Sequence, residues 1–196
     1  DNHGINYNVN YKKEKFDLFS NLRYRYLKFL GEGTYDRTDF DNTGITSVLH
    51  ETIDAERTYS IFNIYFGGDY YINDKNTLTL SYYHRNNESN NEVRYDYNFF
   101  DNNQQLDSVL KTVENYKEPQ KANQIELNYV KTFDKKGQKF TVNLQYDFWN
   151  DDENENITEQ QLFPTTSVIN TLRSRDIESS KDFLFQSDYK LPVTEK

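Results

Sequence analysis

The sequence predicts an all-β fold, an antiparallel up-and-down meander, and three observations lead to this prediction. Apolar and polar residues alternate in many segments; in 5–12 every odd position is apolar or aromatic and every even position is polar. Because side chains alternate across a strand, such a segment has one apolar and one polar face. Short polar turns separate these segments in pairs, and no segment carries the period of a long amphipathic helix.

The short turns predict the order of the strands. Each is flanked by two alternating segments, as expected for a β-hairpin, so we expect antiparallel neighbours and no parallel crossover. The predicted turns are Lys13–Lys15, Asn73–Asn76, Asp134–Gly137 and Pro192–Glu195. The polar connections on the other side of the meander are much longer. Seven alternating strands are predicted in total, and the sixth is the clearest, with Phe140, Val142, Leu144, Tyr146 and Phe148 in one phase.

Composition alone points to a very polar protein. The chain of 196 residues is 35% hydrophobic and 28% charged, and its mean hydropathy is -1.02. No apolar run reaches the length of a transmembrane helix. Low mean hydropathy does not exclude a membrane β-barrel, because only alternate residues of its strands face lipid. The net charge of -9 argues against nucleic acid as a partner, and the absence of cysteine excludes a disulfide framework and a thiolate metal site.

Strand length and aromatic placement favour a membrane barrel over a soluble sandwich. Soluble strands usually have about 5–6 residues, whereas a membrane-crossing strand needs about 9–11, and most of the alternating segments have the longer length. An aromatic residue precedes each short turn in the apolar phase, which predicts an aromatic girdle. The predicted girdle residues are Tyr11, Tyr70, Phe133 and Tyr189. The predicted lipid-facing residues are Tyr7, Val9, Leu18, Leu22, Phe62, Ile64, Leu78, Leu80, Ile125, Leu127, Val142, Leu144, Phe183 and Phe185.

The predicted fold is therefore part of a large transmembrane β-barrel with short periplasmic turns and long extracellular loops. The loops are predicted at 30–52, 85–122 and 150–180, and a short helix inside the second, near 106–115, remains possible. Loops on a rigid scaffold usually carry recognition. In the second loop a strand-like stretch contains Tyr95, Tyr97 and Phe99, which could stack on a sugar or a flat siderophore; plain cross-strand packing is the alternative.

Reaction chemistry has little support in the sequence. The three histidines have no ligand spacing, and the acidic run 151–156 lacks the spaced ligands and central glycine of a calcium loop, so a solvated loop is the better interpretation. Gly67 and Gly68 fall within a strand and predict a bulge or bend. Facing the predicted barrel interior are Asp17, Arg23, Arg25, Glu126 and Lys139. We expect no enzyme activity, no cofactor and no metal site.

Three segments carry a resemblance to a known family. They are GINYNVNYKKEKFDLFSNLRYRY, GGDYYINDKNTLTLSYYHRN and QIELNYVKTFDKKGQKFTVNLQY. Each resembles the TonB-dependent receptor-like outer-membrane β-barrel family common in Bacteroidetes; DYYINDKNTLTLS and YVKTFDKKGQ are similar to its periplasmic turns, and SDYKLPVTEK resembles a further turn. The resemblance implies a bacterial outer-membrane location, a plug domain before the barrel, and uptake of a nutrient or siderophore powered through a TonB-type energy-coupling protein.

Two expectations concern the chain as a unit. Residues 1–196 are expected to be a partial barrel domain, without the plug and the remaining strands, because an odd number of strands does not close a bacterial barrel. The isolated segment is expected to self-associate through its unpaired edges and apolar face. The lipid bilayer of the outer membrane is the expected partner. The alternative function is a soluble β-rich module that binds a ligand such as carbohydrate.

Overall fold

The computed structural model describes residues 1–193 of the chain, and all regular structure in that range is β-strand. The predicted fourth turn, at 192–195, reaches outside the described residues. The strands are β1 (Asn2–Lys13), β2 (Phe16–Asp41), β3 (Gly44–Asn73), β4 (Asn76–Phe100), β5 (Leu106–Thr132), β6 (Lys139–Asp151), β7 (Glu153–Phe163), β8 (Ser167–Asp176) and β9 (Ser179–Lys190). No helix in this part of the chain has the length and apolar character to cross a membrane.

The strands form one antiparallel sheet in the order β1-β2-β3-β4-β5-β6-β9, and β7 pairs with β5 and β8. Every described strand pair is antiparallel, so the predicted meander is confirmed. The hairpins β1–β2, β3–β4 and β5–β6 turn at the three predicted places, which together form the short-turn end of the sheet. The tips at 42–43, 101–105 and 164–166 form the opposite, long-hairpin end.

Strands β6 and β7 run along β5 as one row with a single interruption. Gln120 pairs with Asp151 and Lys117 with Asn154, so the register is the same on both sides of the gap. Pro119 lies opposite the gap, and proline has no N–H to donate to a ladder. On the neighbouring row, β8 and β9 continue each other in the same way along β7 and β6. The nine strands therefore make seven rows.

The prediction of three long loops is wrong. The segments 30–52, 85–122 and 150–180 are instead extensions of the strands, joined only by short tips at the long-hairpin end. Extended pairing satisfies the backbone N–H and C=O groups that a long loop would leave to water. The possible helix at 106–115 is also contradicted, because these residues are the first part of β5. Charged and amide residues lie on both faces of these extensions, which accounts for their polarity.

The sheet has two chemically different faces. Residues directly opposite each other in a ladder share a face, so the register follows each face across all strands. We call the face with Leu22, Ile64 and Leu127 the outer face, and that with Asn21, Asn63 and Asn128 the inner face. All described residues that are buried lie on the inner face: Leu49, Ser81, Ser89, Thr112 and Asp151. Crowding on one side indicates that the inner face is the concave side of the sheet.

Gly67 and Gly68 do not form the expected bulge. Both stay in regular register with β2 and β4, where Gly67 pairs with Phe19 and Ser81 and Gly68 with Leu18 and Leu80. The absence of a side chain has another role at Gly67. A Cβ atom there would lie 2.7 Å from the Phe19 ring and 2.5 Å from the Leu80 carbonyl oxygen. Glycine at this position therefore lets the Phe19 ring lie flat on the inner face.

The two end strands have one neighbour each among the described residues. β1 pairs with β2 and β9 pairs with β6, and no ladder joins β1 to β9 within 1–193. The sheet is therefore open in this structure. Every residue of β1 and almost every residue of β9 is exposed. An unpaired strand edge is a template for pairing with further strands.

Candidate functional site

The register brings all the predicted lipid-facing residues onto one face. On the outer face, Leu80 pairs with Leu127, Leu127 with Leu144 and Leu144 with Phe185, which gives one apolar row across four strands. Leu80 is 56% exposed and Phe185 is 61% exposed, so these side chains project away from the sheet. The same face carries the remaining predicted positions: Tyr7, Val9, Leu18, Leu22, Phe62, Ile64, Leu78, Ile125, Val142 and Phe183. We call this surface the apolar band; its contact with lipid stays a prediction.

The predicted girdle residues lie together at the short-turn end of the apolar band. Tyr70 stacks on Phe16 with ring centroids 4.9 Å apart, and Phe133 meets Tyr189 edge to face at 6.1 Å. Phe133 directly follows β5, and Tyr11 lies near the end of β1. The Gln138 amide donates a hydrogen bond to the Tyr189 hydroxyl at 2.6 Å. An apolar ring with a hydrogen-bonded hydroxyl, such as Tyr189, suits the boundary of a bilayer.

A second aromatic row, which the sequence did not predict as a girdle, lies at the other limit of the apolar band. The Tyr82 hydroxyl donates to the Asn123 side chain at 2.8 Å, and the Tyr82 ring stacks parallel to His84 at 6.5 Å. Beyond this row the outer face becomes charged, and its first ion pair joins Lys28 to Glu56 at 2.7 Å. The apolar band thus ends abruptly on both sides. On β2 it spans 16–26, which agrees with the roughly 9–11 residues of a membrane strand.

A shallow groove interrupts the apolar band where Gly68 lacks a side chain. Its volume is about 490 Å³, and its walls are mainly aromatic and aliphatic. Phe16, Leu18, Phe66 and Tyr70 form one wall, with Leu80, Tyr82 and Ile125 across from them. Most of the residues that line the groove are on the outer face, at the level of the apolar band. It therefore belongs to the same surface as the predicted lipid contacts.

Beneath the apolar band, the inner face is a polar network. The Gln124 amide donates to Asp147 at 2.8 Å, and the Thr79 hydroxyl donates to Asp69 at 2.5 Å. The Tyr83 hydroxyl donates to Asn63 at 3.2 Å. The charged residues predicted to face the barrel interior all lie on this face: Asp17, Arg23, Arg25, Glu126 and Lys139. Their common position agrees with a water-filled interior.

Toward the long-hairpin end, the apolar residues change sides. In β4, Leu78, Leu80 and Tyr82 lie on the outer face, whereas Tyr95 and Tyr97 lie on the inner face. The strand register stays regular through this region. The apolar residues therefore change faces because the alternation in the sequence changes phase, and no bulge is involved. The adjacent apolar pairs Tyr26–Leu27 and Ile61–Phe62 mark the change in β2 and β3. These pairs are the sequence signal that would have revealed it.

The candidate loop aromatics Tyr95, Tyr97 and Phe99 form a ladder on the inner face. Tyr95 and Tyr97 stack with centroids 6.1 Å apart, and Tyr97 and Phe99 stack at 6.5 Å. Their cross-strand partners on β3 include Ile53 opposite Tyr95 and Leu49 opposite Phe99. All three rings are partly buried. Cross-strand packing is thus present, and the concave side of the ladder carries no further layer among the described residues.

Carboxylates surround this aromatic ladder. The Tyr95 hydroxyl donates to Glu114 at 3.4 Å, and the Tyr116 hydroxyl donates to Glu118 at 2.9 Å. Burial raises the pKa of the Tyr95 phenol, and the negative charge of Glu114 raises it further. Burial likewise raises the pKa of Tyr97, and Glu51 adds to the effect. The phenols are therefore neutral donors in a negative local potential. No local pattern in the sequence marks these carboxylates, because they come together only through the register between strands.

The acidic run at 151–156 does not gather into a metal site. Asp151 is buried on the inner face, whereas Asp152 faces outward and accepts two hydrogen bonds from the Arg175 guanidinium, at 2.7 and 2.6 Å. Arg175 holds the pKa of Asp152 below its usual range. Among the described residues, no three histidine or acidic side chains come close enough to hold a metal ion. Alternation along the strand separates neighbouring acids onto opposite faces.

Comparison with known proteins supports the class that the fold suggests. The profile of an outer membrane protein beta-barrel family matches residues 131–196, which include β6 to β9 and the short turn before β6. No curated protein matches the chain. The antiparallel meander, its apolar band and this match define an outer-membrane β-barrel fold, and the protein is located in the outer membrane. This location favours the barrel over the alternative of a soluble binding module.

Proposed function

We propose that the chain is part of the barrel of an outer-membrane receptor that imports a nutrient or siderophore with energy from a TonB-type coupling protein. The observation that supports this proposal is the distribution of side chains on the inner face. It carries partly buried aromatic and acidic groups at the long-hairpin end and a largely polar surface down to the short turns. A ligand that binds to the aromatic and acidic groups would then have a hydrophilic path along the polar surface toward the short turns.

The orientation follows from the two ends of the sheet. In outer-membrane barrels the short turns are periplasmic and the long connections extracellular. The long hairpins extend roughly 15 residues beyond the apolar band, or about 50 Å at 3.3 Å per residue. The aromatic ladder would therefore stand well outside the bilayer, where a ligand first arrives. Binding and transport, without catalysis, are the roles that this arrangement suits.

The test uses the full-length outer-membrane protein and the purified periplasmic domain of the energy-coupling protein from the same cells. We expect direct binding in detergent solution, strengthened when the receptor is loaded with its ligand. A passive pore purified from the same membrane is the negative control. Absence of binding, together with a constant large ion conductance of the full-length protein in a planar bilayer, would show a passive channel and overturn the proposal.

A further inference from the structure

The inner face of the long-hairpin end combines aromatic and aliphatic side chains with an excess of acidic over basic residues. We call the inner-face residues on β3, β4, β5, β7 and β8 between the levels of Tyr97 and Tyr59 the acidic aromatic face. Its aromatic and aliphatic members are Ile53, Tyr59, Val93, Tyr95, Tyr97, Leu110, Tyr116, Ile157 and Leu172. Its acidic members are Glu51, Glu114, Glu118, Glu153, Glu155, Glu159 and Asp176. Arg57 is the cation at these levels of the same face.

The acidic aromatic face and the outer face of the same strands differ in how many of their acids form ion pairs. On the outer face several acids are neutralised, since Lys28 pairs with Glu56, Lys111 with Asp96 and Arg175 with Asp152. Arg94 likewise pairs with Glu92. The seven acids of the acidic aromatic face form no ion pair with any residue in 1–193. Among the described residues, the acidic aromatic face therefore carries seven carboxylates without an ion-pair partner and a single cation, Arg57.

One buried acceptor on this face also lacks a donor. The Asn91 side-chain oxygen is buried and has no hydrogen-bond partner among the described residues. A buried acceptor without a partner costs about 1–3 kcal/mol, so a donor supplied by a ligand would be favoured there. Asn91 lies between Arg57 on β3 and Tyr116 on β5, in the middle of the acidic aromatic face.

We propose that the acidic aromatic face binds an extended basic peptide that carries apolar side chains. Charge complementarity favours a positively charged ligand, because unpaired carboxylates attract ammonium and guanidinium groups and supply acceptors for their N–H donors. The Tyr95–Tyr97–Phe99 ladder adds ring faces that attract cations and aliphatic surface for apolar groups. The face spans several strands without an enclosed cavity, which suits an extended chain better than a compact molecule.

This inference rests on the proposed receptor function only in treating the peptide as imported cargo; the binding itself can be measured without transport. The probe is a synthetic peptide of lysine, arginine and leucine, with a second peptide in which glutamate replaces every basic residue. Binding to the purified full-length protein is measured by fluorescence anisotropy at several salt concentrations. We expect the basic peptide to bind, the acidic peptide not to bind, and the affinity to fall as salt screens the charges.

Matched variants distinguish a site from overall charge. Glu114→Gln, Glu155→Gln and Glu159→Gln together should weaken binding by about tenfold, as expected for three partly exposed charge pairs. Glu32→Gln, Asp54→Asn and Glu88→Gln remove the same charge from the outer face of β2, β3 and β4 and should leave the affinity unchanged. Tyr97→Leu should weaken binding several-fold and Tyr97→Phe should not, because the ring and not the hydroxyl attracts the cation.

Three results would overturn the inference. These are equal binding of the two peptides, equal weakening by the inner-face and outer-face variants, and binding of calcium ions with no binding of the basic peptide. All variants must first show the heat-modifiable electrophoretic mobility of a folded barrel. A failure of peptide binding leaves the coupling-protein experiment unaffected, so the two proposals fail separately. A receptor that couples but does not bind basic peptides would import a different ligand.

Discussion

Replacing Gly67 by alanine tests the packing of the membrane-level inner face. The added Cβ atom would lie 2.5 Å from the Leu80 carbonyl oxygen and 2.7 and 2.8 Å from two carbons of the Phe19 ring. Real Cβ contacts are longer, so the backbone of β4 or the Phe19 ring must move. Phe19 also stacks on Tyr65 at 5.4 Å, which limits where its ring can go. Overpacking of this kind costs about 1–3 kcal/mol.

The matched control is Gly33→Ala on the same face of the neighbouring strand β2, nearer the long-hairpin end. There the new Cβ atom meets its nearest neighbour, the Ile53 Cβ atom, at 3.8 Å, an ordinary contact. Alanine in a strand is otherwise favoured over glycine by roughly 0.5–1 kcal/mol, because less backbone entropy is lost. The two substitutions should therefore change stability in opposite directions. The measurement is equilibrium urea unfolding of the full-length protein in lipid vesicles, followed by tryptophan fluorescence.

A double variant separates the two clashes at Gly67. Phe19→Leu removes the ring carbons but leaves the Leu80 carbonyl oxygen in place, so Gly67→Ala should be only partly rescued in this background. Coupling of at least about 0.5 kcal/mol between the two substitutions is expected for residues in contact. The reasoning is refuted if Gly67→Ala and Gly33→Ala have equal effects, or if the two substitutions at Gly67 and Phe19 are additive.

Two further predictions concern the membrane. Val142→Lys on the outer face should cost about 2–4 kcal/mol of folding free energy in vesicles, whereas the neighbouring inner-face substitution Asn143→Lys should cost far less; equal costs would contradict the lipid-facing assignment. Because the chain contains no cysteine, single cysteines can report its orientation in a cysteine-free background. A membrane-impermeant maleimide should label Asn102→Cys, at a long-hairpin tip, on intact cells, and Lys136→Cys, in a short turn, only after lysis; the reverse pattern would invert the proposed topology.

The sequence by itself determined the meander and the faces of its membrane-level strands. Alternation with a period of two assigns residues such as Val142 and Asn143 to opposite sides, and this depends only on local strand geometry. The short turns set which strands are neighbours, because a short connection between two strands leaves only an antiparallel pairing. The residues of the apolar band could therefore be predicted almost completely without any knowledge of distant contacts.

The tertiary structure alone decided what the long polar segments do. Taken singly, 85–122 is polar enough to be a loop, and only pairing with β3 and β7 satisfies its backbone and makes it strand. The same pairing brings Glu51 of β3, Glu114 of β5 and Glu159 of β7 onto one surface around Tyr95, although they are far apart in the chain. Such a concentration of charge depends on register between strands. Register is a non-local property, which is why local patterns did not reveal the acidic aromatic face.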